Sequence, residues 1–185
     1  MRTLISKNAL PLLLLLAAVA VGASPASAAT VCASADGPTA QSSTVALANS
    51  ALCLVNQERT SRGLRPLKSN RHLANAARNH ANDMVARGYF SHDSMNGNSF
   101  VDRIRKAGYV PARAFPSLGE DLAWGSGSLG TPREIVQSWM ESPGHRANIL
   151  SRRFREGGMG VAFGDPGAGE DGVTYALDFG SGGRK

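Results

Sequence analysis

Four histidines in this sequence could transfer protons or bind a metal near neutral pH. His92 follows a predicted helix end, and His145 lies in a tight segment that contains proline and glycine, so loops could present both rings to a cleft. His80 falls on the apolar stripe of a predicted helix, where a core histidine satisfied by one hydrogen bond is favoured over a ligand. His72 stands among polar residues at a helix start, which indicates a solvated surface residue.

Familiar catalytic motifs do not accompany these histidines. The sequence has no H-E-x-x-H helix of a metalloprotease and no G-x-S-x-G elbow of a serine hydrolase. Ser142 precedes a proline at a predicted helix N-cap, where its hydroxyl serves backbone N–H groups rather than a reaction. The acidic segment 165–171 lacks the ligand pattern of a calcium-binding EF-hand loop, so we interpret it as a solvated hairpin turn.

Four amphipathic helices are predicted to carry these residues, because apolar side chains recur at helical spacing. They are expected to begin near Thr44, at a Ser69 N-cap, at Ser99 with Asp102 in a capping position, and at Thr131 with proline at the first helical position, and to end near residues 61–63, Gly88, Gly108 and Ser142. His80 therefore lies within the second helix, His92 just after it and His145 just after the fourth.

After the fourth helix the spacing of apolar residues changes from helical to alternating, which is typical of strands. The residues expected to share a face are Met159, Val161 and Phe163 in one run and Val173, Tyr175, Leu177 and Phe179 in the other. A Gly- and Asp-rich stretch, 164–172, joins the two runs as a β-hairpin. A further short strand is plausible at 122–124. The sequence therefore predicts an α/β fold in which helices flank a small, mainly antiparallel sheet.

The first 28 residues contain the parts of a secretory signal peptide in order. Arg2 and Lys7 form a positive start, an apolar run covers 10–21, and small residues fill 26–28 before the cleavage point. The apolar run is shorter than the roughly 20 residues that a membrane-spanning helix requires. We therefore expect a cleaved signal and a secreted protein without a transmembrane anchor.

Removal of residues 1–28 leaves 157 residues, close to the size of one ordinary domain. Residues 29–43 are rich in small and polar side chains and are expected to form a flexible N-terminal arm, followed by one domain over 44–185. The two cysteines, Cys32 and Cys53, are expected to form a disulfide in an oxidising compartment. Closing a loop of about 20 residues should contribute roughly 3 kcal/mol.

The positive charge of the chain is modest once the signal peptide is set aside. The full sequence carries a net charge of +6, and the mature part keeps 18 basic and 14 acidic residues, a net charge of +4. Short basic runs occur at 103–106 and 152–155 without interleaved aromatic residues. We interpret them as solvated faces and expect no nucleic-acid partner, with attraction to an anionic cell wall or membrane surface as the alternative.

Three motifs follow one another in the order expected of a known family. They are Tyr89-Phe90-Ser91-His92-Asp93-Ser94, Gly119-Glu120-Asp121-Leu122-Ala123-Trp124-Gly125, and the run from Trp139 to Leu150 that contains Ser142-Pro143-Gly144-His145-Arg146, with Asp178-Phe179-Gly180 closing the series. From about Ala51 to Gly180 the sequence resembles the bacterial branch of the CAP superfamily, also called the SCP-like extracellular domain. The resemblance implies an α/β/α sandwich.

The resemblance also implies a cleft in which His92 and Glu120 face His145, with His80 close beneath. Glu141 lies one residue out of register with a second glutamate of the family and is a further candidate for the cleft. Eukaryotic members have another histidine on the last strand, but Thr174 occupies the matching place in this sequence. His145, from a different element, is expected to substitute for that histidine only in part.

Two imidazoles and a carboxylate in one cleft have three possible uses. They could bind a divalent cation such as zinc, with His92, Glu120 and His145 as ligands. They could act as base and orienting group in hydrolysis, with Ser142 or Ser91 as nucleophile. They could also form a hydrogen-bonded network without chemistry.

The expected function is that of a secreted, monomeric binding or interaction module that is not an enzyme. A secreted peptidase or cell-wall hydrolase that uses the same cleft is the alternative. The resemblance implies lipids or sterols, cell-wall components and proteins as the classes of extracellular ligand, with a divalent cation as the only candidate cofactor.

Overall fold

The computed structural model describes residues 32–37, 39–109, 116–167 and 171–182, and the predicted signal peptide lies outside these residues. The helices are α1 (Thr44–Thr60), α2 (Arg71–Arg87), α3 (Phe100–Lys106), α4 (Pro132–Glu141) and α5 (Pro143–Ile149), and the strands are β1 (Lys68–Ser69), β2 (Leu118–Ser126), β3 (Glu156–Phe163) and β4 (Gly172–Gly180). None of these helices has the length and apolar character needed to cross a membrane.

The four strands form one sheet in the order β1-β3-β4-β2. Both neighbours of β4 run antiparallel to it, and only the short β1 pairs in parallel, with β3. The predicted hairpin and the mainly antiparallel sheet are therefore confirmed. Phe163, at the end of β3, is exposed rather than buried with Met159 and Val161, because the strand ends there at the surface. The strand expected at 122–124 is longer and covers nine residues.

Helices cover both faces of the sheet, which confirms the α/β/α sandwich. Helix α2 packs on one face and contacts β3 and β4, while α1 and α4 lie on the other side against β3 and β2. The contact with α2 is very close, since a Cβ atom built on Gly158 would lie 2.0 Å from the backbone nitrogen of Ala74. Gly160 approaches the backbone nitrogen of Arg78 equally closely. Glycine at these two positions therefore allows the helix to lie directly on the sheet.

Local capping explains where most of the helices begin. The capping box of Ser99 and Asp102 at α3 and the cap of Thr131 at α4 are present as predicted. Helix α2 begins one residue later than expected, because Asn70 rather than Ser69 accepts the first backbone N–H groups, with Ser69 paired in β1. The segment after α4 forms a fifth helix, and Ser142 at its start makes no side-chain capping bond.

The segment expected to be a flexible arm is docked on the domain wherever the structure describes it. The predicted disulfide between Cys32 and Cys53 is present, with the Cα atoms 5.7 Å apart, and it places Cys32 in the main core. Ala35 is buried, and its carbonyl accepts a hydrogen bond from the backbone N–H of Arg133. The Arg133 side chain pairs with Asp36. The composition of this segment did not predict these contacts, because they depend on the disulfide and on residues that are distant in sequence.

Candidate functional site

The candidate site is organised by Glu120, whose side chain is fully buried on β2. Its Oε1 accepts a hydrogen bond of 2.8 Å from Nδ1 of His92. Its Oε2 accepts a hydrogen bond of 2.6 Å from Nη2 of Arg103, which brings a positive charge directly onto the carboxylate. Charge-assisted hydrogen bonds of this kind are stronger than neutral ones. Each carboxylate oxygen of Glu120 is therefore engaged by a donor from a different part of the chain.

Arg103 also fixes the loop that carries His92. Its Nη1 donates to the carbonyls of His92 (2.9 Å) and Asn98 (3.1 Å) and to the hydroxyl of Ser94 (3.2 Å). The side chain is only 10% exposed, although the sequence analysis placed Arg103 in a solvated basic run. The position of Arg103 one turn after the Ser99 capping box was the available sign that its side chain turns back toward the preceding loop.

The His92 ring is held on one side and open on the other. The side chain is 54% exposed, and Nε2 has no hydrogen-bond partner within the described part of the chain. The hydrogen bond to Glu120 is the main cause that raises the pKa of His92, and burial opposes it. The imidazole therefore holds a proton more readily than a free histidine does, and in that form Nε2 presents an N–H to solvent.

His145 lies near the His92 ring on helix α5. Burial lowers the pKa of His145, and the charge of His92 lowers it further. The two shifts are opposite in direction, so His92 holds a proton more readily than His145 does. Of the three residues named from the sequence, His92 and Glu120 are in direct contact, and His145 interacts with His92 through its charge.

Two further buried carboxyl groups flank Glu120 and were not named as candidates from the sequence. Asp178 lies opposite Glu120 in the pairing of β2 with β4. Burial, and then the Glu120 carboxylate, raise the pKa of Asp178 well above its ordinary value. Asp121 accepts a hydrogen bond of 2.7 Å from Nδ2 of Asn148, and burial raises its pKa to about 7 despite that bond. Charged residues next to an alternating apolar run are usually exposed to solvent, so no pattern in the sequence predicted that these two carboxyl groups would be buried.

The remaining candidates lie beside the network or away from it. His80 is buried beneath the loop and donates from Nε2 to the carbonyl of Ser91 at 2.8 Å, which helps to hold the residue before His92. Burial lowers the pKa of His80. Glu141 is exposed on α4, where it accepts from Gln137. His72 is half-buried and its Nδ1 donates to the carbonyl of Ala107, so its expected role as a solvated residue is wrong.

A divalent cation held by His92, Glu120 and His145 is one hypothesis for this cleft. Among the described residues, no three His, Cys, Asp or Glu side chains lie close enough to hold a metal ion together. Both oxygens of Glu120 are already engaged, and the Arg103 guanidinium beside them repels a cation. Nε2 of His92 is an imidazole nitrogen at this site that has no hydrogen-bond partner within the described residues.

The raised pKa of Asp121 predicts a stability that decreases with pH. The folded state keeps a proton on Asp121 up to about pH 7, whereas the unfolded chain releases it near the ordinary value of 3.8. A stabilising contribution that is complete below pH 4 is therefore lost as the pH rises toward and through 7. Between pH 5 and 8 we expect Asp121 to lower the free energy of unfolding by about 2–3 kcal/mol.

Urea unfolding of the mature protein and of Asp121→Asn at pH 5, 6.5 and 8 measures this contribution. Asparagine keeps the acceptor for Asn148 and cannot titrate, so the variant should lose the part of the decrease that Asp121 contributes. The pKa of Asp178 is also raised, so Asp178 contributes a decrease that should remain in the variant. His92 contributes a decrease of the same sign, since its folded-state pKa is also raised, and that part should remain in the variant. Parallel pH profiles for the two proteins would show that Asp121 is ionised throughout.

Comparison with known proteins identifies the family to which this chain belongs. Residues 52–179 match the model of the Cysteine-rich secretory protein family, abbreviated CAP. The protein YkwD of Bacillus subtilis is 37% identical over 107 residues, which are 58% of this chain and 39% of YkwD. The chain thus spans about two fifths of that relative.

Solved structures show a similar fold. An extracellular protein of Bacillus anthracis that contains an SCP domain matches with 28% identity and a TM-score of 0.57, over 73% of this chain and 39% of that chain. An outer surface protein of Borrelia burgdorferi matches with a TM-score of 0.58 at 18% identity, over 72% of this chain and 90% of that chain. This last similarity supports the fold alone.

Proposed function

The chain belongs to the Cysteine-rich secretory protein (CAP) family, and from this premise we propose that it is a secreted binding module that is not an enzyme. Its ligand is held at the open rings of His92 and His145. Secretion is proposed from the signal-like residues 1–28 and is supported by the disulfide between Cys32 and Cys53, which persists outside the cytoplasm.

The proposal rests mainly on the hydrogen bonds of Glu120, whose two carboxylate oxygens each accept from a donor. Glu120 uses both oxygens to hold His92 and Arg103, so it is not free to act on a substrate itself. The buried group therefore fixes the His92 ring and its loop in one position. A rigid, half-exposed ring with one free N–H is suited to recognising a carbonyl or an anionic oxygen on a ligand.

The serine hydroxyls named as nucleophiles are not joined to the His92 ring, because within the described residues neither Ser91 nor Ser142 forms a hydrogen bond with its Nε2. The hydroxyl of Ser91 accepts a hydrogen bond of 3.1 Å from the backbone N–H of Asp93. Nδ1 of His92 already donates to Glu120, so only Nε2 could act as a base. The hydrogen bond to Glu120 raises the pKa of His92, so the ring holds a proton more readily than a free histidine does.

The proposal is tested with purified peptidoglycan sacculi and with phosphatidylcholine vesicles that contain cholesterol. The mature protein should sediment with one of these probes without releasing soluble fragments from the sacculi. We expect His92→Ala to reduce the sedimented fraction at least about fivefold, which corresponds to about 1 kcal/mol. Glu141→Ala is the matched control, since Glu141 is exposed and outside the network, and it should bind as the wild type does.

Two results would contradict binding at His92. One is release of soluble fragments by the wild type that is lost in His92→Ala, which would establish the hydrolase instead. The other is no sedimentation with either probe.

A thermal shift with zinc tests the cation hypothesis, because a ligand that binds only the folded state raises the melting temperature. We expect no increase, and an increase that disappears in His92→Ala would restore zinc as a ligand.

A further inference from the structure

Arg59 is a buried guanidinium in the last turn of α1, far from the site described above. It is 1% exposed, and it donates only to backbone carbonyls. The acceptors are Arg65 (3.0 Å), Ile149 (2.5 Å), Ser151 (3.1 Å) and Phe154 (3.3 Å). Within the described part of the chain no carboxylate pairs with it. Backbone carbonyl dipoles therefore stabilise the positive charge of Arg59, and within the described residues no negative charge neutralises it.

These bonds bring two separate segments of the chain together at one surface. Arg59 joins the loop after α1 to the loop between α5 and β3, and the backbone N–H of Lys68 donates to the carbonyl of Arg155 at 3.0 Å. Five exposed cations gather there, and we call them the basic surface: Arg65, Lys68, Arg152, Arg153 and Arg155. The run 152–155 is visible in the sequence, whereas the position of Arg65 and Lys68 beside it depends on the fold.

One acid adjoins the basic surface, since Glu156 lies opposite Lys68 in the pairing of β1 with β3. None of its five side chains forms an ion pair with a carboxylate in the described part of the chain. The charge of Arg155 lowers the pKa of Arg59 further, after burial, so the buried charge and the surface charges act on each other. Like charges at such spacing repel, and an arrangement that keeps six of them together produces a positive potential that extends into solvent.

The form of the surface indicates the kind of partner. All five side chains are exposed, so the surface lacks the enclosed walls that a single small ion would need. The large exposed apolar side chains of the described residues are Val45, Phe90, Met95, Trp124, Leu129 and Phe163. None of them comes from the two loops of the basic surface, so nothing there could insert into a lipid bilayer or stack on a base.

We propose that the basic surface binds a linear extracellular polyanion whose repeating charges are phosphate or carboxylate groups. Guanidinium groups pair with both in a two-pronged geometry, and several weak contacts along one polymer add up. This inference does not rest on the ligand at His92, because none of the hydrogen bonds of Arg59 involves His92, Arg103 or Glu120.

The test measures binding of fluorescently labelled mature protein to sodium polyphosphate and to poly-glutamate at low and high salt. The double variant Arg152→Glu/Arg153→Glu should lower the affinity for the bound polymer at least about tenfold. The matched control is Arg78→Glu/Arg105→Glu, which changes the net charge equally at exposed positions elsewhere and should change affinity less than about threefold. Preference for one polymer distinguishes phosphate from carboxylate recognition.

Three outcomes would overturn the proposal. The first is equal loss of affinity in both double variants, which would show a dependence on net charge alone. The second is no binding of the wild type to either polymer at low salt. The third is binding to phosphatidylglycerol vesicles without binding to the polymers, which would identify a membrane surface as the partner. Circular dichroism of each variant checks that the exposed substitutions leave the fold intact.

Discussion

Replacement of Gly158 by alanine is expected to prevent stable folding of the domain. The added Cβ would lie 2.0 Å from the backbone nitrogen of Ala74 and 2.3 Å from the backbone carbonyl carbon of Leu73. These atoms belong to helix α2, which cannot give way by a change of rotamer. The helix would have to move off the sheet, and we expect a loss of at least about 3 kcal/mol in the free energy of unfolding.

The matched control for this substitution is Gly144→Ala in helix α5. A Cβ at Gly144 would meet no heavy atom within 4 Å. Alanine is also the better helix former, so this variant should be unchanged or more stable by up to about 1 kcal/mol. Urea unfolding followed by circular dichroism compares the two proteins. Wild-type stability in Gly158→Ala would show that α2 does not lie as close to β3 as the structure has it.

Replacement of Glu120 by alanine should cause the second largest loss. Arg103 would keep its charge in a nearly closed environment without the carboxylate that now compensates it. Removing one partner of a buried pair typically costs about 3–5 kcal/mol, and the slight exposure of Arg103 places the expected loss near the lower value. The pKa of His92 should also fall, because its hydrogen bond to Glu120 is the main cause of the increase.

Two measurements separate the structural and electrostatic parts of that result. Urea unfolding gives the stability, and NMR titration of the imidazole gives the pKa of His92. Glu141→Ala should change neither, because Glu141 is exposed and pairs only with Gln137 in the described residues. A Glu120→Ala protein with wild-type stability would mean that water can replace the carboxylate, and the network could then not be what fixes the His92 loop.

The features that the sequence predicted well are those decided by neighbouring residues. The Ser99–Asp102 capping box and the Thr131 cap each involve residues three apart, and both are present. The alternation around Val161 and Tyr175 predicted a hairpin because strand side chains alternate whatever the rest of the fold does. Fold class could therefore be read from periodicity, and the family resemblance located the site.

The features that the sequence did not reveal depend on distant partners. Arg59, Arg103 and Asp121 are charged, and charged residues are usually exposed, yet all three are largely or fully buried. Arg59 meets carbonyls about 90 residues away along the chain, and no local pattern encodes such contacts. Only the assembled sandwich shows that these polar groups hold loops in place.

The strand order has a consequence for how the chain must assemble. The central strand β4 follows both of its antiparallel neighbours in the chain, and β2 and β3 never pair with each other. Neither β2 nor β3 can form its antiparallel hydrogen bonds until β4 has been added to the sheet. If the chain is exported from its N-terminus onward, as proposed, strands β2 and β3 would reach the exterior before β4, the strand that pairs with both. Folding should therefore be a late and mostly non-local event, and during that interval the chain is most exposed to aggregation and proteolysis.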